Sequence, residues 1–225
     1  MNGASDQIPL DFVLPKRRAR GRDDFIVSAS NADAVKLIDR WRDWPDGRLA
    51  LTGPEGSGKS HLAHVWMSAT EGEKANAADL RREDVPTLIA CGAVVVEDVD
   101  RIPPEAEAAL FHLLNFAVGE GARLLLTGRG APSGWRIATP DLASRLRGLA
   151  NVGIDPPDDA LMSGLLARHL AVRQLRVNHD VVAYLAARIE RSAAAVANAA
   201  TQLDRAALAE GRAITRPFAK KALGL

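Results

Sequence analysis

The chain has one cysteine, Cys91, among its 225 residues. No internal disulfide can therefore staple the fold, and such sparse thiol usage suits a reducing compartment. Charge of one sign is lacking too: 29 Lys and Arg stand against 28 Asp and Glu, a net charge of +1, so bulk electrostatics selects no partner. No apolar run approaches the roughly 20 residues of a membrane span. The opening "MNGASDQ" is polar rather than basic-then-apolar, which excludes an ordinary secretory signal there. Arg17-Arg18 is not followed by an apolar stretch, so a twin-arginine signal is not expected either. These absences leave a cytoplasmic, membrane-free globular protein as the expectation. No internal repeat is visible. His61 and His64 share a predicted helix face without a Cys or carboxylate cluster, which argues against a zinc site. Trp41 and Trp44 flank the first predicted strand and read as packing residues.

What is present divides the chain into three stretches. Residues 1–22 read as an arm, with "QIPLDF" (Gln7–Phe12) placing Ile8, Leu10 and Phe12 in alternation and "KRRARGR" (Lys16–Arg22) clustering basic charge. Apolar residues in a terminal arm must bury against something, either the protein's own surface or a partner. The basic cluster is either a solvated linker or a contact to DNA phosphates. From residue 23 to 156 the chain alternates β and α: "RLALT", "AVVVED" and "RLLLTG" are continuous apolar runs expected of strands buried on both faces. A weaker strand is expected at "NVGID". Between them lie helical patterns, notably "EAEAALFHLLNFAV" behind Pro103-Pro104, with Leu110, Leu113, Leu114 and Ala117 at helical spacing. This order predicts an α/β fold, a parallel sheet covered by helices on both faces. From 157 to 225 only helical patterns remain, with Asn178, Ser192 and Thr215 as expected N-caps and Gly211 as a stop. They predict a small all-helical subdomain.

One motif carries chemistry. "GPEGSGKS" fits G-x-x-x-x-G-K-[ST] at Gly53, Gly58, Lys59 and Ser60, between a predicted strand and a predicted helix. Glycines let the backbone curl so that successive N–H groups of Pro54–His61 other than the proline can face phosphate oxygens, and the helix adds its positive end. Lys59 would reach the β- and γ-phosphates and the Ser60 hydroxyl would bind Mg²⁺. Gly53, Pro54, Glu55, Gly56, Ser57, Gly58, Lys59, Ser60 and His61 thus form the candidate nucleotide-binding loop. Glu97 and Asp98, at the tip of "AVVVED", supply an acidic pair: Glu97 to help hold Mg²⁺, Asp98 to orient or deprotonate the attacking water. Thr127, at the end of "RLLLTG", is a candidate contact for the γ-phosphate or that water.

Six segments, "DDFIVSASNADAV", "GPEGSGKSHLAHV", "VVVEDVD", "LFHLLNFA", "LLLTGRGAP" and "PDLASRL", occur in the order found in the DnaA-related AAA+ ATPases. The resemblance covers the chain from about residue 23 to its end. "PDLASRL" and "QLDRAALAEGRAITRPFAKKAL" resemble in particular the Hda-type members, which inactivate the replication initiator. It implies an AAA+ P-loop NTPase base at 23–156, a helical lid at 157–225, and ADP or ATP with Mg²⁺ as cofactors. The family's C-terminal helix-turn-helix domain is not expected, since the chain stops after the lid. The resemblance also implies that Phe25, Ile26 and Val27 line the adenine pocket. It makes Arg145 the arginine finger that reaches a nucleotide on a neighbouring subunit, and Arg191 the lid sensor. "QIPLDF" is similar to the hexapeptide by which bacterial proteins dock on the DNA polymerase sliding clamp (its β subunit), with Gln7, Ile8, Leu10 and Phe12 as the contacts. The partners implied are that clamp and the initiator DnaA, with DNA reached indirectly or through Lys16–Arg22, and a homodimer as a further assembly.

Two departures matter. The family's acidic pair is Asp-Glu or Asp-Asp, whereas here Glu97 precedes Asp98, an exchange of lengths that predicts slow intrinsic hydrolysis. Arg129 also stands where the initiator carries an acidic residue. The expected function is a nucleotide-binding regulator that acts on hydrolysis in a partner; the alternative is a DnaA-like ATPase that loads a helicase or remodels DNA by its own cycle.

Overall fold

A computed structural model describes residues 25–225. The clamp-like Gln7, Ile8, Leu10 and Phe12 and the basic cluster Lys16–Arg22 lie outside the described residues.

Five parallel strands, β1 (Arg48–Thr52), β2 (Glu73–Asn76), β3 (Ala93–Glu97), β4 (Arg123–Gly128) and β5 (Asn151–Gly153), form one sheet in the order β2-β3-β4-β1-β5. The apolar runs explain the three inner strands. In a parallel sheet wrapped by helices each face must be buried, so every position of β3 is apolar or enclosed. Alternate side chains feed two separate cores. Ala50, Val94, Val96, Leu124 and Leu126 meet Leu110, Leu113 and Leu114 of α4 (Pro104–Glu120) and Leu142 and Leu146 of α5 (Pro140–Arg147). Leu49, Leu51, Val95 and Leu125 meet Val35 and Ile38 of α1 (Ala32–Asp39) and Leu62, Val65 and Trp66 of α2 (Lys59–Thr70). Trp44 stacks on Trp66 at 5.2 Å, a packing role as expected. A short helix, α3 (Val85–Ala90), precedes β3.

Four further helices follow Pro156-Pro157: α6 (Asp159–Val172), α7 (His179–Ala186), α8 (Ala193–Glu210) and α9 (Arg216–Leu223). They enclose a third core, in which Met162, Leu166, Val182, Leu185, Val196, Leu203 and Phe218 are buried. Ser192 accepts from Ala195 N at 3.1 Å and Thr215 from Phe218 N at 3.4 Å, as N-caps. Gly211 ends α8 in the left-handed conformation. Asn178 sits at the N-cap position of α7 but its side chain makes no capping bond.

The helical bundle is fastened to the sheet-bearing part by Asp158. One of its carboxylate oxygens accepts from Leu161 N at 2.7 Å, capping α6, and the other accepts from Ser30 N at 3.2 Å. These bonds hold its pKa below the ordinary carboxylate value: the Leu161 N–H is the largest cause, and burial opposes it. Asp155 N donates to Ser30 O at 2.9 Å beside it. Among the described residues no helix is long and apolar enough to cross a membrane.

Candidate nucleotide site

The strand order brings the carboxyl ends of β1, β3 and β4 side by side, the edge at which open α/β sheets bind ligands. The loop after β1 makes a tight reversal into α2. A Cβ at Gly53 would lie 2.4 Å from Ile154 O and 2.9 Å from Ser57 Oγ, so only glycine fits. Gly58 has φ +104° and open space around it, which leaves the first turn of α2 accessible. Ser57 Oγ is buried without a hydrogen-bond partner among the described residues. Lys59 is 8% exposed and folds back on the loop, its Nζ donating to Gly53 O and Pro54 O, both at 2.9 Å. Burial pulls its pKa below the ordinary lysine value, and the nearby Arg129 adds to this; Asp100, Asp98 and Glu55 push the other way. Its ammonium is thus held by two neutral carbonyls rather than by a carboxylate.

Ser60 and Glu97 line one cavity of about 330 Å³ with His61, His64, Met67 and Lys74. The structure thus brings the candidate Mg²⁺ hydroxyl and carboxylate together, a hard-oxygen donor set that fits the ion. Asp98, past the end of β3, is exposed and takes φ +58°, an uncommon conformation for a residue other than glycine. Its N–H donates to Thr127 Oγ1 at 3.3 Å. Thr127 is 1% exposed, so its observed work is to hold the Asp98 backbone, a positioning contact.

Phe25 packs its ring edge-on to His61 at 5.2 Å. Ile26 reaches Gly164 of α6, where a Cβ would stand 3.4 Å from Ile26 Cδ1. Val27 is exposed. The Phe25–Val27 segment therefore runs between the loop helix and the helical bundle. The bundle also touches the loop itself: Ala193 N donates to Gly56 O at 3.4 Å, and a Cβ on Gly56 would fall 2.5 Å from Ser192 Cβ. Arg191 is not aimed at the loop. Its guanidinium donates to Pro157 O at 2.9 Å and to Asp159 Oδ1 at 2.6 Å, across the entry to α6.

Arg145 lies in the last turn of α5, beside α4. It is exposed, 5.1 Å above the Phe111 ring, and has no carboxylate partner among the described residues.

Several contributors were not anticipated from sequence. Arg129 bridges the loop and the turn after β3, donating to Asp100 Oδ2 at 3.2 Å and Glu55 Oε2 at 3.4 Å. Glu107, 2% exposed, accepts from Ala138 N at 2.7 Å and Thr139 N at 2.8 Å, fixing the entry to α5. Glu107 had a legible signal, a lone acid on the Ala106-Leu110-Leu114 stripe. Asp158 had one too, since an acid before a helical pattern is a cap. The Arg129 contacts and the pairing of Lys74 with Glu97 depend on tertiary geometry and had none.

Strand order, phosphate-type loop and helical bundle define the chain as an AAA+ domain. Residues 159–223 match the family model described as "Hda, lid domain". Domain III of the Thermotoga maritima replication initiation protein DnaA superposes with a TM-score of 0.78 at 16% identity, over 94% of this chain and 98% of that one. Replication initiator DnaA bound to AMPPCP and single-stranded DNA gives 0.70 at 17% identity, over 90% and 70%. The RuvB Holliday junction branch migration motor of Thermotoga maritima gives 0.72 at 16%, over 92% and 72%. Residues 159–223 thus resemble an Hda-type lid, and the described chain has the fold of DnaA domain III.

Proposed function

We propose that this protein is an adenine-nucleotide-binding regulator of chromosomal replication initiation. It docks on the DNA-loaded sliding clamp through Gln7, Ile8, Leu10 and Phe12 and presents Arg145 to ATP bound by the initiator DnaA, accelerating its hydrolysis. The observation that carries this reading is the exposure of Arg145. A guanidinium that is exposed and without a carboxylate partner among the described residues is available to a site on another molecule. In other NTPases an arginine delivered in this way contributes about 10³–10⁵ in rate by neutralising charge in the transition state. The Hda-type lid and the DnaA-like fold support the choice of partner.

The chain's own loop binds ADP or ATP in this reading. Lys59 exchanges its two carbonyl partners for phosphate oxygens, and the N–H groups at the start of α2 face the same charge. Phe25, Ile26 and Val27 enclose the base between α2 and α6. Ser60 and Glu97 would hold Mg²⁺, which neutralises phosphate charge when bound. Because α8 meets the loop at Gly56, the nucleotide sets the lid's position. Arg191, tied to Pro157 and Asp159, stiffens the joint on which the lid turns.

Two measurements test the proposal. Purified protein should bind its organism's clamp saturably, and a Gln7/Leu10/Phe12→Ala triple variant should not. Arg145→Ala should keep clamp binding yet abolish stimulated hydrolysis by the initiator. Normal stimulation by that variant removes the finger. Strong hydrolysis by this chain alone, without clamp binding, favours the loader or remodeller.

A further inference from the structure

Glu97 ends β3 almost enclosed, and Lys74 reaches it: its Nζ stands 2.5 Å from Glu97 Oε2. The register explains the contact. Lys74 lies opposite Val95 and Asn76 opposite Glu97. Lys74 and Asn76, two apart on one strand, share a face with Val95 and Glu97. That face also packs against α2, which contributes Ser60, His64 and Met67 to the same cavity. The Asn76 amide is engaged locally, its Oδ1 accepting from Ala78 N at 3.0 Å. Lys59 does not compete either, being held by Gly53 O and Pro54 O.

The pair is unequal: the Glu97 side chain is 11% exposed and that of Lys74 is 53% exposed. An enclosed carboxylate needs a counter-charge, whereas a half-exposed ammonium on a four-carbon stem, on the edge strand β2, can leave into water at small cost.

We propose that Lys74 is a resident counter-cation for Glu97, standing where the divalent ion would otherwise supply positive charge, so that the loop takes its nucleotide with little need for Mg²⁺. This rests on the reading that Gly53–Ser60 holds a nucleotide. Without a cation at Glu97, its charge would repel the phosphates; with Lys74 there, the repulsion is cancelled from within the chain. Mg²⁺ entering beside Glu97 must then displace Lys74 or share the carboxylate with it, which raises the concentration of ion required.

The test is binding of a fluorescent ADP to the full chain in EDTA and across a Mg²⁺ titration. The wild type should bind in both conditions with affinities within about threefold of each other, less than 1 kcal/mol. Lys74→Met should lose about tenfold in EDTA, equivalent to 1.4 kcal/mol, and recover it at a lower Mg²⁺ midpoint than the wild type. Lys74→Arg, which keeps the charge, should behave as wild type. Adding Glu97→Gln to Lys74→Met should restore binding in EDTA, because the repelling charge is gone. Circular dichroism and melting check that each variant is folded. Identical Mg²⁺ dependence in Lys74→Met and the wild type overturns the role of Lys74 while leaving nucleotide binding intact. No binding by the wild type in either condition overturns the nucleotide reading, and this inference with it.

Discussion

Replacing Glu107 tests whether the helix that carries Arg145 is aimed by a single buried carboxylate. Glu107 sits within the apolar stripe of α4, 2% exposed, and accepts the N–H groups of Ala138 and Thr139 just before α5 begins. A hydrogen bond to a charged acceptor contributes about 1.5–3 kcal/mol. Ala138 is exposed, so water can take over its N–H once the carboxylate is gone. The loss for Glu107→Ala is therefore about 3 kcal/mol rather than the upper sum. At about 2–4 °C per kcal/mol for a chain of this size, its melting temperature should fall by about 6–12 °C. Glu107→Gln keeps one acceptor but turns an NH₂ toward the second donor, and should lose about half as much. Thermal melts by circular dichroism read the stability. Hydrogen exchange at residues 137–147 reads the aim of α5, and both should respond in the same variant order. Under the proposed function, stimulated hydrolysis should fall in Glu107→Gln while clamp binding is retained. A Glu107→Ala protein that melts with the wild type, with unchanged exchange at α5, would refute the reasoning.

Lys59→Met should abolish binding of labelled ADP, by about 100-fold or more, while leaving the melting temperature unchanged or higher, since it removes an enclosed cation that no carboxylate in the loop grips directly. Gly56→Ala places a Cβ 2.5 Å from Ser192 Cβ at a φ of +74°; left-handed strain of about 1–3 kcal/mol adds to the clash, and exchange at the start of α8 should quicken. Acid should destabilise the protein in a defined window. The pKa values of Glu107 and Asp158 are both lowered in the fold from ordinary values of 4.5 and 3.8. For Glu107, burial alone would raise the value, and the Thr139 side chain with the two backbone N–H groups outweighs it. Folded values below unfolded ones mean that this stability is fully present above the ordinary values and is lost as pH falls through the folded ones. Melts at stepped pH should be flat above about pH 5 and then drop, with a shallower slope in Glu107→Gln and Asp158→Asn.

The inner strands were legible because burial on both faces demands continuous apolar runs, and "AVVVE" and "RLLLTG" could read as little else. β2 was not. "EKAN" is polar and lies at the sheet edge, a strand only because its register with β3 makes it one. Reading the loop from Gly53 to Ser60 needed no tertiary knowledge, since the chemistry of phosphate binding is carried by adjacent residues. The surroundings were a different matter. Lys74 meets Glu97, and Arg129 meets Glu55 and Asp100, across intervals of sequence that only the sheet order closes. Thr127 was anticipated as a contact for phosphate or water, and its observed bond goes to the Asp98 backbone. Arg191 was anticipated at the nucleotide and is bonded to the joint before α6.

The double duty of Asp158 carries a mechanical consequence. The same side chain ends α6 on one oxygen and grips Ser30 on the other. A bundle that tilted away from the sheet would carry the local cap of α6 with it and stretch the Ser30 bond, which tolerates no more than a few tenths of an ångström. Movement of the bundle should therefore begin with release of the Ser30 N–H, while the cap of α6 travels intact.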